Sequence, residues 1–286
     1  MQQLKLLDST CVNYGIKDCP SVKTPAAYPS SVPPNNTPIN ITIYLSLLGV
    51  LLWLLHTRPE VGFRVSYGAT KAAAPVEDDW NALLRILQYL HQTRNYGVII
   101  KKQPAHCALR MYIYCDASYL LYADSKSQTG FAFSLNNIGF FFSKSQKQPL
   151  VTTSSTHSEM RSLFIAVVEY LFLVEIAKEL GRPLAEPAIL FEDNQPVVTL
   201  LTRDRSIPKA SKHFVMLINW AREQIAHGVI DVRQLGTMLM TPDILTKDVF
   251  GQDFLYKAQQ LRGQHPDEPL LTPAPSKSER LAAKSD

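Results

Sequence analysis

The sequence has few cysteines and none in a paired arrangement. Its four cysteines, Cys11, Cys19, Cys107 and Cys115, form no Cys-x-x-Cys motif and have no nearby histidine cluster. We therefore expect neither a zinc site nor a disulfide framework. Residues 1–5 also lack the basic-then-apolar layout of a signal peptide. These absences predict an intracellular protein of the cytoplasm or nucleus, and not a secreted one.

Charge is absent from a long internal stretch, because no charged residue occurs between positions 24 and 57. Residues 29–38 are rich in Pro, Ser and Asn, which is typical of a loop or linker. Residues 41–55 form an apolar run that falls short of the roughly 20 residues a membrane-spanning helix needs. The run therefore favours a buried helix over a membrane span, and we expect no membrane partner.

The composition is that of a chain that can fold around a core. Hydrophobic residues make up 46% and charged residues 19% of the 286 positions. These proportions exclude a collagen, a coiled coil and a fully disordered chain. The length suits one large domain or two of ordinary size. A net charge of +4 permits a nucleic-acid partner but does not require one.

Apolar periodicity predicts a mainly helical first region and an α/β second region. In the first, an amphipathic helix begins at Asp78 and a short strand follows at 98–100. The second begins with three strands, and Asn136 and Asn137 suit a tight turn between the last two. The predicted elements of the second region are strands at 111–115, 131–135, 138–142, 188–191 and 229–232, and helices at 158–180, after 195, at 217–226 and from 241.

Four acidic residues lie near the ends of predicted elements: Asp116, Glu159, Asp193 and Asp243. Each also has a structural explanation. Asp116 suits a turn after a strand, and Glu159 suits a capping box with Thr156. Asp193 suits a helix N-cap, and Asp243 suits a first helical turn. Together the four resemble an acidic cluster that needs cations, such as two Mg²⁺ ions that activate water against a phosphodiester.

A basic segment follows the third of these acids. Residues 203–213 carry a single acid among several basic side chains, which are Arg203, Arg205, Lys209, Lys212 and His213. A charge run of this kind is more often a solvated loop, but beside a phosphodiester site it would contact phosphates. Lys126 to Thr129, which precede the second strand, offer further donors to a nucleic-acid backbone.

The chain resembles the C-terminal part of the Pol polyprotein of copia-type LTR retrotransposons, where the end of reverse transcriptase is followed by RNase H. The resemblance covers about residues 6–261. In the first region it rests on the segments YGIKDCPSVKTP, YLSLLGVLLWLLHTRPEVGFRVS and WNALLRILQYLHQTRNYGV. In the second it rests on CDAS, KSQTGFAF, SSTHSE, EDNQ, SKH and DILTK, which follow the family's order.

The resemblance implies an α/β protein with an RNase H-like fold, a mixed five-stranded sheet flanked by helices, at 106–262. A mainly helical remnant of the reverse-transcriptase thumb or connection would precede it at 1–105, and a disordered tail would follow at 263–286. The upstream reverse-transcriptase domain is a candidate partner. The implied activity is hydrolysis of the RNA strand of an RNA–DNA hybrid, with no small-molecule cofactor.

The resemblance also implies the residues that act. Asp116, Glu159, Asp193 and Asp243 match the catalytic quartet, which would hold two Mg²⁺ ions, or Mn²⁺ in their place. The hybrid would be recognised largely by its shape and its sugar-phosphate backbone. The residues predicted to contact it are Lys126, Thr129, Asn194, Arg203, Arg205, Lys209, Lys212 and His213.

Three departures from the family pattern matter. The palm with its catalytic aspartates lies upstream in this family and is absent here, so we expect no DNA synthesis. Phe214 and Val215 stand where the family has Ile-Asp, and an apolar approach at 238–242 replaces a polar one before Asp243. The alternative hypothesis is a catalytically inactive relic that at most binds nucleic acid, and the altered approach to Asp243 is the feature that favours it.

Overall fold

The computed structural model describes residues 3–16, 20–27, 33–102, 107–203 and 207–263. The predicted tail beyond Gly263 and the predicted contact residue Arg205 lie outside these residues. The helices are α1 Leu4–Asn13, α2 Ile41–Leu54, α3 Gly62–Ala69, α4 Glu77–Gln92, α5 Ser155–Glu179, α6 Gln195–Thr202, α7 Val215–Ala226 and α8 Gly251–Leu261. The strands are β1 Leu109–Ser118, β2 Lys126–Leu135, β3 Phe140–Val151, β4 Leu184–Glu192 and β5 Ile230–Gln234.

The apolar run forms α2, as its length indicated. Asn40 caps this helix, and its Oδ1 accepts hydrogen bonds from the N–H groups of Thr42 and Ile43. Leu47 and Leu51 are fully buried on its inner face. No helix in the described part of the chain is both long enough and apolar enough to cross a membrane.

The strand predicted at 98–100 is wrong. This segment has no strand partner, and the N–H of Ile99 donates to the carbonyl of Arg262 at 2.8 Å. The side chains of Ile99 and Ile100 are 47% and 62% exposed, so the segment gains little from burial. A short run of β-branched residues does not form a strand without a neighbouring strand to pair with.

The sheet has the strand order β3-β2-β1-β4-β5. The β1–β2 and β2–β3 pairs are antiparallel, and the β1–β4 and β4–β5 pairs are parallel. Asn136 and Asn137 make the predicted turn between β2 and β3 with φ values of 50° and 57°. The mixed five-stranded sheet with flanking helices confirms the predicted RNase H-like fold.

The third strand is much longer than predicted because polar side chains hold its second half in place. The Nε2 group of Gln148 donates to Thr129 Oγ1 and to the carbonyl of Ser158, both at 3.0 Å. Ser145 Oγ donates to the carbonyl of Leu245 at 2.6 Å. Apolar alternation does not reveal a strand whose second half is held by hydrogen bonds of polar side chains.

The two faces of the sheet pack against different helices. Met111, Ile113 and Cys115 of β1 face α5, α6 and α7 in one core. The opposite face packs against α1–α4 and α8 in a second core, to which the sheet contributes Tyr114, Ala132, Phe140, Ile189 and Phe191. The mainly helical first region therefore forms one of the two layers that cover the sheet.

A buried ion triad joins this helical layer to the last helix. Glu60 Oε1 accepts from Arg58 Nε at 2.8 Å and from an Arg262 guanidinium nitrogen at 2.9 Å. All three residues are at most 3% exposed. Burial alone would raise the pKa of Glu60. The charges of Arg58 and Arg262 outweigh this effect, so that the pKa is lowered.

Candidate metal centre

Two of the predicted acids come from neighbouring parallel strands. Tyr114 of β1 pairs with Phe191 of β4, so Asp116 and Asp193 each lie two residues further along, at the same edge of the sheet. Asp116 is inside β1, which continues to Ser118, and is 3% exposed. It is therefore not a turn residue. The carboxyl edge of parallel strands is where α/β proteins build their sites.

The third acid is supplied by the first turns of α5. Ser154 caps this helix by accepting the N–H of His157 at 3.1 Å, so the capping box between Thr156 and Glu159 is not formed. Glu159 is 6% exposed, and its Oε2 has no hydrogen-bond partner among the described residues. The helix thus buries a carboxylate that its own backbone does not use.

Asp193 is also free of a capping role. The side chain of Asn194 caps α6 instead, where its Oδ1 accepts the N–H of Val197 at 3.2 Å. Ligand atoms of Asp116, Glu159 and Asp193 all lie within 4.8 Å of one another. The structure therefore brings together three of the four predicted acids, in a group we call the acidic trio.

Asp116 and Glu159 lie in an environment that opposes their negative charge. Burial, together with the charges of Asp243 and Asp193, raises the pKa of Asp116 to about 6. Burial also raises the pKa of Glu159 well above its usual value, and the charges of neighbouring carboxylates add to this effect. Carboxylates held this close favour a bound cation, and a set of oxygen donors suits a hard divalent ion.

The fourth acid, Asp243, is buried nearby but is held by lysines. It lies in the short 3₁₀ helix Thr241–Leu245, which we call the Asp243 turn. Lys257 of α8 forms an ion pair with its Oδ2, and Lys247 Nζ lies 2.5 Å from its Oδ1. Its carboxylate is not part of the trio, although its charge contributes to the raised pKa of Asp116.

The Asp243 turn is shorter than the helix predicted from position 241. Its last residue is followed by Thr246, whose hydroxyl donates to the carboxylate of Asp116 and to the carbonyl of Asp243. These bonds draw the chain toward the trio, and α8 begins separately at Gly251, where φ is 63°. The break therefore serves to place Asp243 and Thr246 beside Asp116.

Sequence reasoning missed a fifth carboxylate, Glu192. It is fully buried at the end of β4, and its Oε1 accepts the N–H of Asn194 at 3.0 Å. Cys115 Sγ lies 3.6 Å from its Oε2. Burial, with the charges of Asp193 and Asp116, raises its pKa well above the usual value. The sequence signal that could have identified Glu192 is the pair of consecutive acids, Glu192 and Asp193, after an apolar strand.

The residues predicted to contact nucleic acid fall into several environments. Lys126 is partly exposed and lies 3.5 Å from Asp124 Oδ2. Asn194 is half-buried and serves as the α6 cap. Thr129 corrects the prediction, because it is fully buried within the sheet and accepts a hydrogen bond from Gln148. Its side chain does not reach a surface open to a duplex.

The basic segment lies beside the helix that carries Glu159. Arg203, Lys209, Lys212 and His213 are exposed. His213 Nε2 contacts Thr153 Oγ1, and its ring centroid is 5.3 Å from that of His157 on α5. Since His157 is two residues from Glu159, the segment is close to the trio.

His157 is itself surrounded by positive charge. Its ring stacks on that of Phe214 with centroids 4.8 Å apart. Burial, with the charges of His213 and Arg161, lowers the pKa of His157 to about 4. The imidazole is therefore neutral at physiological pH, and the positive charge of this surface comes from its lysines and arginines.

Comparisons with known proteins agree with the motifs. No protein-family model matches the chain. The chain is 30% identical, over 207 residues, to the retrovirus-related Pol polyprotein from transposon RE2 of Arabidopsis thaliana, a match that covers 72% of this chain and 14% of that protein. It is 24% identical, over 275 residues, to the Pol polyprotein from transposon TNT 1-94 of Nicotiana tabacum, which covers 93% of this chain and 20% of that protein.

Among solved structures, the chain is similar to LC11-RNase H1 in complex with an RNA/DNA hybrid, with a TM-score of 0.37 and 11% identity. That match covers 48% of this chain and 94% of the other. The chain spans only a fifth or less of the length of the Pol polyproteins named above. Its motifs, its sheet and the two Pol polyproteins lead to one conclusion: the chain belongs to the Pol polyproteins of copia-type LTR retrotransposons, as a fragment with an RNase H-like domain.

Proposed function

We propose that this domain is a metal-dependent endonuclease that hydrolyses the RNA strand of RNA–DNA hybrids and has no polymerase activity. The convergence of Asp116, Glu159 and Asp193 within 4.8 Å carries the proposal. Three carboxylates this close, two of them buried, repel one another, and divalent cations are the usual means of stabilising such a group. The retroelement family supports a hybrid as the substrate.

The residues present fit divalent cations. Glu159 Oε2 is a buried oxygen without a partner among the described residues, and the trio offers only oxygen ligands. Such donors suit Mg²⁺ or Mn²⁺. In this proposal the trio binds the first ion, and Asp243 completes the site of a second. When bound, the ions supply Lewis acidity and an activated water for phosphodiester hydrolysis.

Neighbouring side chains hold the trio in position. The Thr246 hydroxyl donates to Asp116, and the Ser162 hydroxyl donates to the carbonyl of Asp116 at 2.8 Å. The N–H of Asn194 binds Glu192 and thereby fixes the backbone on either side of Asp193. These bonds orient the carboxylates before substrate arrives, so little reorganisation is needed on binding.

The surface around the trio would seat the hybrid. Phosphate contacts position a duplex without reading its sequence. The basic segment lies against the N-terminal end of α5, and Lys126 and Asn194 lie at the ends of β2 and β4. The residues proposed to contact the hybrid are Lys126, Asn194, Arg203, Arg205, Lys209, Lys212 and His213.

The test is cleavage of a labelled RNA–DNA hybrid by the purified chain with Mg²⁺ or Mn²⁺. Duplex RNA controls for substrate choice. Asp116→Asn and Asp193→Asn should abolish cutting, whereas Asp8→Asn, which removes a 42% exposed acid of α1, should not. Failure of a folded protein to cut with either ion would contradict the proposal.

A second candidate function is the catalytically inactive relic that binds nucleic acid at most. The observation that favours it is the engagement of Asp243 by Lys257 and Lys247, which keeps its carboxylate out of the trio. A relic of this kind would bind hybrid without cutting it. Hybrid binding and hybrid cleavage measured together with Mg²⁺ or Mn²⁺ separate the two candidates, because the trio is present in both and only the nuclease cuts the bound hybrid.

A further inference from the structure

The helical layer contains an open cavity of about 520 Å³ along α4, with residues 25–27 on one side. Two arginines line it, Arg64 of α3 and Arg85 of α4. Asp78 is the one acid among its described lining residues, and its Oδ2 accepts the N–H of Asn35 at 2.9 Å. The cavity therefore presents a net positive lining.

The two arginines are under-satisfied. The Nε of each is buried and has no hydrogen-bond partner among the described residues. Arg64 forms an ion pair with Asp248 through its NH2 group, but Arg85 forms no ion pair in the described part of the chain. Burial and the charge of Arg64 both lower the pKa of Arg85. An anion between the two guanidinium groups would neutralise their charges and accept hydrogen bonds from their unused donors.

The arginine pair is connected to the metal centre. A smaller cavity shares Arg64 with the larger one and is also lined by Lys247 and Asp248. Lys247 in turn forms an ion pair with Asp243. Lys247 and Arg64 thus link the surroundings of the trio to Arg85 through shared cavity linings, and Glu60 and Asp248, which line the same smaller cavity, offset their charges there.

We propose that Arg64 and Arg85 bind backbone phosphates of the hybrid beyond the metal centre, so that the helical layer forms a second contact surface for the substrate. This inference rests on the proposed nuclease function. The planar guanidinium presents a fork of donors that matches two phosphate oxygens, which a lysine at the same position does not provide.

The test is binding of fluorescent hybrids, one short and one long, measured in EDTA over a series of salt concentrations. Arg85→Gln should weaken binding of the long hybrid several-fold and reduce the slope of log K against log salt by about 0.9. Arg85→Lys should keep the slope and lose part of the affinity. Arg94→Gln, which removes an exposed arginine paired with Asp8, should change neither.

The outcomes separate this inference from the nuclease proposal. If the unchanged protein binds the hybrid, and Arg85→Gln binds it as tightly as Arg94→Gln does, this inference is overturned and the nuclease proposal is not. Absence of any hybrid binding would overturn both. A melting temperature that inorganic phosphate raises in the unchanged protein but not in Arg85→Gln, with equal hybrid binding, would assign the site to a free phosphate anion and overturn the nucleic-acid contact.

Discussion

At the scale of single residues, the buried ion pair of Asp243 with Lys257 stabilises the fold, although the charge of Asp243 also repels that of Asp116. Asp243→Asn would leave the Lys257 ammonium buried, with only Asp253 at 3.4 Å. Removing one partner of a buried pair is strongly destabilising, and relief of the repulsion on Asp116 offsets part of the loss. We expect the free energy of unfolding in urea to fall by about 3 kcal/mol.

Two further variants check that explanation. Asp253→Asn removes a 40% exposed acid and should cost less than about 1 kcal/mol. The double variant Asp243→Asn with Lys257→Met should recover part of the lost stability, because the buried ammonium is then removed and Lys247, which is 44% exposed, remains in contact with water. A cost for Asp243→Asn no greater than that of Asp253→Asn would show that the pair is not a buried, stabilising one.

The raised pKa of Asp116 predicts how the metal-free protein responds to pH. The folded protein keeps a proton on Asp116 between its ordinary value of 3.8 and about 6, whereas the unfolded chain has released it. The free energy of unfolding should therefore fall as pH rises through this window and stay low above it. Asp116→Asn cannot ionise, so in EDTA at neutral pH it should melt about 2–6 °C higher than the unchanged protein.

Thermal melts in EDTA across the pH range measure this effect. The difference between Asp116→Asn and the unchanged protein should vanish below the ordinary pKa of the carboxyl group. Addition of Mg²⁺ should reverse the order at neutral pH, since only the ionised carboxylate binds the ion. An Asp116→Asn protein that melts lower than the unchanged one at neutral pH in EDTA would contradict the prediction.

Residue-level sequence reasoning identified the acids but could not choose between their roles. Each had a structural alternative, and for Glu159 and Asp193 the caps proved to be other residues, Ser154 and Asn194. The ion pair of Asp243 with Lys257 was beyond sequence reasoning, because Lys257 reaches it from α8 through tertiary packing. Side chains compete for local partners in ways that spacing alone does not resolve.

At the scale of secondary-structure elements, the close approach of β2 to the Asp243 turn depends on Gly130. A Cβ at this position would lie 2.6 Å from Thr246 Cγ2 and 2.8 Å from Leu245 Cβ. Gly130→Ala should therefore displace the turn, weaken the bond from Thr246 to Asp116, and cost about 1–3 kcal/mol. Cleavage of hybrid should fall by more than the loss of folded protein accounts for.

Gly236→Ala is the matched control, because nothing lies within 4 Å of its added Cβ. Urea denaturation and hybrid cleavage should be compared for both variants. Equal behaviour of the two would show that contact between β2 and the Asp243 turn does not position the site. The predicted loss of stability concerns the packing of two elements and does not depend on the metal.

Helices and strands whose apolar residues recur with a clear period were predictable from the sequence. Strand segments that polar hydrogen bonds hold in place were not. The helices α2, α4 and α5 and the strand β1 begin and end within a few residues of the predicted positions, or contain them. The second half of β3 escaped prediction because polar side chains, those of Ser145 and Gln148, hold it through hydrogen bonds. The absent strand at 98–100 shows that local propensity alone does not form a strand.

At the scale of the whole molecule, the helical layer and the sheet share a core. A chain that starts at position 106 would expose the sheet face that carries Tyr114, Phe140 and Phe191, all at most 2% exposed in the full chain. We expect such a truncated chain to lose fixed tertiary packing, seen as loss of near-ultraviolet circular dichroism, and to aggregate.

Residues 1–105 supplied as a separate polypeptide should restore part of the signal. The predicted division at 105 and 106 separates two families of motif, and this experiment asks whether it also separates two units of folding. A truncated chain that is monomeric and gives a full near-ultraviolet spectrum would show that the nuclease half folds without the helical layer.

The ion triad also has a consequence for biosynthesis. Arg262 reaches Glu60 across 202 positions of sequence, and the two arginines together neutralise the buried carboxylate through its Oε1. On the ribosome, the first helices therefore emerge long before the residue that completes their core. Until α8 leaves the exit tunnel, the buried carboxylate of Glu60 lacks one of its two arginines, and contacts of such long range are slow to form.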